Sequence, residues 1–316
     1  MVALPQNISP TVQALEDNWQ GKNEGAHYRF IRGSQIGHPC ERHLWYKFRW
    51  CHPPEQFSGR MLRLFNTGHR EEARLVAELR AVGVDVQDVD PATKEQWEVD
   101  AIDGHFKGHA DGILTGVLEA PKARHLFEAK THNEKSFRQL VKHGVVEAKP
   151  EHVAQMQVYM GLLSLNRAFY LAKNKDTDAL HGERIHFDPA HFAALMAKAE
   201  RIKETHIPPA RISDDPSYYL CKAFKCPSYD ICHGGGTPLR NCRTCLHSSP
   251  INDGQWYCQR HEKELPTPDQ NIGCPHHRYL PGLINGAQID VDPEQQTITY
   301  RLPNGSEWVD GCGAQL

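Results

Sequence analysis

The stretch LCKAFKCPSYDICHGGG, residues 220–236, sets Cys221, Cys226 and Cys232 in a C-x4-C-x5-C pattern. Thiols at such short intervals converge, and converging thiolates hold an ion or a cluster. Three are one short of a closed zinc site or a cubane iron–sulfur cluster, each of which takes four protein ligands. A fourth ligand must be found, and one brought from far along the chain would strongly restrict how the chain can be arranged. The chain has ten cysteines, and its start, MVALPQNISPTVQALEDNW, lacks the basic segment and apolar run of a secretory leader. A cytoplasmic protein is expected, and in that reducing compartment cysteines serve as metal ligands more than as disulfides.

A second set follows in NCRTCLHSSPINDGQWYCQRHEKELPTPDQNIGCPHH, residues 241–277. Cys242-x2-Cys245 is a zinc-knuckle spacing, because one tight turn presents two thiolates to one ion. With Cys258 and Cys274 they make a four-cysteine Zn²⁺ ribbon. His261 is a rival ligand, since Cys258-x2-His261 is also a ligand spacing, and His276 and His277 are weaker rivals. The plain role of such a ribbon is structural, replacing an apolar core too small to fold alone. A DNA-gripping or partner-docking role is the sharper alternative. Cys312 reads as a free thiol.

The 316 residues suffice for one large domain or two smaller ones, and a 39% hydrophobic, 24% charged composition is that of a globular chain. The formal net charge of −3 excludes a generally basic coat for nucleic acid, so any DNA contact needs a local patch. No apolar stretch approaches the ~20 residues that span a bilayer, so no membrane partner is expected. Residues 1–65 read as helical, with a second helix over 67–82. Between 85 and 131 the pattern changes to short strands, with a hairpin at Asp103-Gly104. Helices return at 136–146 and 150–163, strands in NRAFYLAKNK and GERIHFD, and an amphipathic helix over 189–206. The tail shows a hairpin turning at Asn304-Gly305.

The chemistry lies in GHADGILTGVLEAPKARHLFEAKTH, residues 108–132. A turn centred on Glu119 and Ala120 sets Asp111 directly opposite Glu128, where cross-strand Cβ atoms lie ~4.5–5.5 Å apart. Lys130, two residues on, shares that face. Two adjacent carboxylates repel unless a cation lies between them, and a hard, oxygen-preferring ion such as Mg²⁺ or Mn²⁺ fits. Glu-x-Lys alone is common on solvated strands, so the surroundings matter. FNTGHREEARLV, before the hairpin, offers His69 and Glu72, with Glu71 as an outside candidate. HVAQMQVYMGLL, after it, puts Gln155 and Tyr159 on one helical face.

In order, Gly68 to Glu72, Gly108 to Asp111, Glu128 to Lys130 and Gln155 to Tyr159 resemble the RecB-like branch of the PD-(D/E)xK nuclease superfamily. The pattern is also similar to phage recombination exonucleases and CRISPR-associated RecB-like exonucleases. The match covers about residues 34–232, with Ala110 where the family has proline. The resemblance implies an α/β (α+β) restriction-endonuclease-like core, a mixed central sheet flanked by helices, here followed by the zinc-ribbon-like module. It divides the chain into a nuclease domain over 1–236 and the module with its hairpin over 237–316. It implies a Mg²⁺- or Mn²⁺-dependent DNA exonuclease of a phage or mobile-element recombination or repair system. DNA is the implied partner, with a recombination or replication protein as a second. An endonuclease of the same fold and a non-catalytic DNA-end-binding adaptor are the alternatives. Asp111 and Glu128 would hold the metal with the Ala129 carbonyl and either His69 or Glu72. Lys130 would position or help deprotonate the attacking water. Gln155 and Tyr159 would orient the substrate or the lysine. Arg60, Arg63, Arg70, Lys135, Arg138 and Lys142 are candidates for phosphate contacts.

Several RecB-like nucleases hold a 4Fe–4S cluster with one cysteine before the core and three after it. IRGSQIGHPCERHLWY, residues 31–46, resembles the segment that supplies the first ligand. The resemblance thus makes Cys40 the partner of Cys221, Cys226 and Cys232. The family's C-x2-C-x5-C spacing differs from the C-x4-C-x5-C found here, which leaves Zn²⁺ as an alternative to the cluster and His233 as an alternative ligand. Cys51 is the rival upstream ligand, though a buried thiol is its plainer role.

Overall fold

The computed structural model describes residues 9–22, 25–223 and 225–311, so Cys312 lies outside the described residues. The amino-terminal segment expected to be helical throughout is broken. Gly21, Gly25, Gly33, Gly37 and Pro39 interrupt it, leaving helix α1 (Pro10–Gln20), a two-residue strand β1 (Ile31–Arg32) and helix α2 (Glu41–Phe48). Pro53 and Pro54 interrupt it again before α3 (Gly59–Ala81). That helix starts eight residues before the expected 67, because the Ser58 hydroxyl accepts the Met61 N–H at 3.3 Å and caps it.

Strands β2 (Asp85–Gln87), β3 (Trp97–Ala101), β4 (Phe106–Ala110), β5 (Gly112–Thr115) and β6 (His125–His132) follow. Then come α4 (Glu134–Ala148), α5 (Pro150–Leu162), β7 (Arg167–Asn174), β8 (Leu180–His186) and α6 (Pro189–Glu204). The principal sheet has the order β2-β5-β6-β7-β8. Its β6–β7 pair is parallel and its other pairs are antiparallel. It is therefore mixed, and the crossover between its parallel strands runs through α4 and α5, as a parallel pair requires. A smaller sheet, β1-β4-β3, stands beside it. This is the α+β arrangement expected, a mixed central sheet flanked by helices.

Side chains alternate faces along β6. Phe127 joins Leu75, Val76 and Phe169 in an apolar cluster under α3, whereas Leu126 joins the larger cluster with Met156 and Val158 of α5. Glu128 and Lys130 follow Leu126 in period and so face α5. Strand β7 is buried along nearly its whole length, as a strand covered on both faces must be.

The carboxyl-terminal part holds a one-turn helix α7 (Tyr229–Cys232), strands β9 (Ser248–Pro250), β10 (Trp256–Cys258) and β11 (Lys263–Glu264), and a one-turn helix α8 (Thr267–Gln270). A three-stranded meander closes it, formed by β12 (Ala287–Asp292), β13 (Thr297–Arg301) and β14 (Glu307–Asp310). The expected hairpin is its β13–β14 pair, with Gly305 at φ 84 in the turn. The larger apolar cluster runs without interruption from beneath the principal sheet into this part, through Trp256, Leu265, Tyr279 and Leu283. Two fully buried arginines reinforce the contact. Arg243 donates to the Arg29 and Phe48 carbonyls at 2.9 and 3.0 Å and stacks 3.8 Å over Trp50, and Arg49 lies 5.0 Å over Trp256. Among the described residues, no helix is long and apolar enough to cross a membrane.

Burial holds the imidazoles of His27, His105 and His132 down to about 4. In an unfolded chain they titrate near ~6.5. Between those values the unfolded chain binds more protons than the folded one, so acid favours unfolding. The melting temperature should be level above pH 7 and fall steadily as pH drops from 6.5 towards 4. Differential scanning fluorimetry across that range checks this, and a level curve down to pH 4.5 would contradict it.

Candidate active site

Strand β5 pairs with β6 in the expected register, with Gly112 opposite Phe127 and Leu114 opposite His125. Continuing it sets Asp111 against Glu128. The strand expected to carry Asp111 is in fact two, and Asp111 occupies the joint. Upstream β4 belongs to the smaller sheet and downstream β5 to the principal one. Gly112, at φ 152, makes the turn between them, and a Cβ there would come 3.0 Å from the Gln87 carbonyl oxygen. The chain therefore leaves the ladder where Asp111 points, and its Oδ2 accepts the Ala129 N–H at 2.8 Å.

Glu128 is fully buried and accepts the Gln155 amide at 3.0 Å, while its other oxygen pairs with the Lys130 ammonium. Glu72 reaches the same place from α3. Burial pushes the Glu128 and Glu72 carboxyls up to about 7, with the neighbouring Asp111 charge adding to both. Asp111 is raised as well, chiefly by burial, although Lys130 pulls it down. Burial opposes the Lys130 charge, but Glu128 and then Asp111 outweigh it and hold the ammonium well above the ordinary lysine range. Three carboxylates thus converge on one ammonium, an excess of negative charge that a hard cation would offset.

A cleft of about 560 Å³ opens over this floor. Asp111, Lys130, Gln155, Tyr159, His69 and Glu72 all line it, whereas Glu128 lies beneath its surface. Glu71 is engaged elsewhere, with Lys173 and, at 3.8 Å, Arg74. Tyr159 packs against Gly33 and Gly108, which lie side by side because β1 runs parallel to β4. A Cβ at Gly33 would come 2.5 Å from the Tyr159 ring, and one at Gly108 would overlap its hydroxyl. Gly108→Ala should therefore displace the ring, lower the melting temperature and cut activity. In a Tyr159→Ala background the same change should cost little, and a double-mutant cycle in thermal melts measures the coupling.

None of the six basic candidates lines the cleft. Arg63 bonds Glu16 at 2.9 Å and Arg138 bonds Glu134. Arg60, Arg70, Lys135 and Lys142 are exposed on α3 and α4. Besides Lys130, the cleft holds Arg32 and Lys107, the latter paired with Glu98 at 2.7 Å and Asp100 at 2.6 Å. Both come from the β1–β4 pair, and His109, the second residue of the Gly-His-Ala-Asp run, lines the cleft beside them.

Cys40, Cys221, Cys226 and Cys232 line a second, separate cavity with His38, His43 and His233. Burial raises the Cys221 and Cys226 thiols, and the neighbouring sulfurs of the set add to the shift. Cys51 lies apart, fully buried, its thiol pushed up by that burial. Cys242, Cys245, Cys258 and Cys274 line a third cavity with His261, His276 and His277. Burial, and then the other three sulfurs, push the Cys242 thiol up to about 12. His277 is occupied by the Thr244 hydroxyl at 3.2 Å, while the His261 ring nitrogen stands 3.6 Å from the Cys274 sulfur. Among the described residues, no three His, Cys, Asp or Glu side chains close into a ready ligand shell. The donor types nonetheless suit the groups expected, oxygen for a hard cation and sulfur for zinc or iron–sulfur.

No family model and no curated protein sequence matches the chain. Among solved structures it is similar to LHK-Exo in complex with dAMP, at 19% identity and TM-score 0.41, over 59% of this chain and 90% of that one. It is similar to the alkaline exonuclease LHK-Exo from Laribacter hongkongensis at 18% identity and TM-score 0.39, with the same coverage. SSO0001 is similar at 15% identity and TM-score 0.39, over 72% and 99%.

Proposed function

We propose that the chain is a divalent-metal-dependent nuclease that hydrolyses DNA from its ends. The observation that supports this best is the anchoring of Asp111 on the Ala129 N–H, beside the Glu128–Lys130 pair at the floor of a cleft. Asp111, Glu128 and the Ala129 carbonyl would hold Mg²⁺ or Mn²⁺, with His69 or Glu72 completing the set. When bound, that ion supplies Lewis acidity at the phosphate and a more acidic water. Lys130, an ammonium in this setting, donates to the phosphoryl oxygen on which charge develops. Gln155 fixes the Glu128 carboxylate, and Tyr159, one turn further along α5, orients the strand. Water oxygen bonds to phosphorus as the bond to the leaving sugar oxygen breaks, and a proton ends on that oxygen. End-labelled linear DNA and covalently closed circles, each with Mg²⁺ or Mn²⁺, test the reading. Short products from linear DNA with circles spared support an exonuclease, nicked circles an endonuclease, and no cleavage a binding protein.

In the same reading residues 1–236 form the nuclease domain with a 4Fe–4S cluster on Cys40, Cys221, Cys226 and Cys232, or Zn²⁺ in its place. Residues 237–316 form the zinc-bearing module, and the system is one of phage or mobile-element recombination. Changing Cys242 and Cys245 together to serine should release one zinc per chain and leave iron in place. Elemental analysis by mass spectrometry checks this, and loss of both metals would reject the partition of ligands.

A further inference from the structure

A pocket of about 390 Å³ adjoins the catalytic cleft and shares Phe30 and Arg32 with it. It is aromatic to a degree that an apolar core does not explain, because its rings stand at the surface. Phe65 is 42% exposed and Tyr28 43% exposed. Phe65 is held edge-on to Phe57 with ring centroids 5.1 Å apart, and Arg32 lies 4.1 Å over the Tyr28 ring. Lys22 adds a second cation at the rim. A third, Lys47, is neutralised by Glu55 at 3.0 Å. His27 is kept neutral by burial and is fixed by stacking on Trp50, with centroids 5.0 Å apart, so it offers a ring face rather than a charge.

Flat rings interleaved with cations match the chemistry of a single strand, whose unpaired bases stack and whose phosphates carry the charge. A duplex cannot use such rings, since its bases are already stacked on one another. We propose that this pocket is a base-stacking subsite that grips the single-stranded part of a DNA substrate next to the scissile phosphate. Arg32, shared by the pocket and the cleft, contacts the phosphate between the two. This rests on the nuclease reading for its orientation but not for its existence, because strand binding there needs no cleavage.

The test is fluorescence anisotropy of a labelled oligo(dT) strand, a blunt duplex and an abasic strand of equal length, on the full chain in EDTA. Phe65→Ala and Tyr28→Ala should each weaken oligo(dT) binding about tenfold or more, the loss typical of one base–aromatic stack. Duplex and abasic binding should change less than twofold, and Phe65→Trp should restore the affinity. Both rings are exposed, and thermal melts verify that the variants fold. Unchanged oligo(dT) binding, or an equal loss on all three ligands, would overturn the subsite. Base-dependent losses in a protein that cleaves nothing would uphold the subsite while rejecting the nuclease. Cleavage without any ring dependence would do the reverse.

Discussion

Lys130→Ala should cut the cleavage rate on linear DNA by about 10²–10⁴, the usual cost of removing a group that acts in the transition state. Mn²⁺ should still bind, because the lysine is a neighbour of the carboxylates and not a ligand. The variant has one further consequence. Glu128 is fully buried and pairs with Lys130, so the truncation strands a carboxylate without its cation. The metal-free variant should melt earlier than wild type, and Mn²⁺ should recover more of the lost stability than it adds to wild type. Asp111→Asn makes the contrasting case. Its side-chain carbonyl can still accept the Ala129 N–H, so the fold should persist, but the charge is gone and the calorimetric Mn²⁺ signal should vanish with activity. Wild-type rates in Lys130→Ala would sink the site.

The hairpin was legible because its information is local: two strand-like segments, one turn, and a register that follows from counting. The structure keeps that register even though β4 and β5 belong to different sheets. Strand β1 was not legible, since two residues carry no periodicity and their parallel partner β4 lies some seventy positions on. With β1 unseen, Arg32 and the Gly33–Gly108 seat of Tyr159 were unseen too. Lys107 could have been found, because it precedes the Gly-His-Ala-Asp run, but its charge looked like that of any strand. The basic candidates on α3 and α4 illustrate the converse. Charges on exposed helical faces are common for solubility alone, and two of the six are tied up in ion pairs on the surface.

Cys40→Ala should be the most disruptive single cysteine change in the amino-terminal half. The segment that supplies Cys40 lies 181 positions before Cys221, yet all four sulfurs line one cavity. Closing so long a loop removes much freedom from the unfolded chain, and the effect grows only with the logarithm of length. Metal-binding energy at such a site becomes folding energy. Cys40 also stands at the N-cap position of α2, without a side-chain capping bond, where the helix amides favour negative charge on its sulfur. Its own N–H donates to the His38 ring at 3.1 Å, which fixes the approach. If these sulfurs hold the proposed 4Fe–4S cluster, loss of Cys40 should therefore bleach the brown colour such a cluster gives anaerobically purified protein. It should also lower the melting temperature on the order of 10 °C, as loss of a native cross-link does. Protease sensitivity should appear both near residue 40 and near residues 221–232, because the proposed ligand set would tie those segments together. Full iron content with unchanged melting would place the fourth ligand elsewhere. Cys51 would not be the substitute, being buried apart from the cavity. His43, whose ring nitrogen stands 3.8 Å from the Cys226 sulfur, and His233, whose buried ring nitrogen has no hydrogen-bond partner among the described residues, would be the residues to change next.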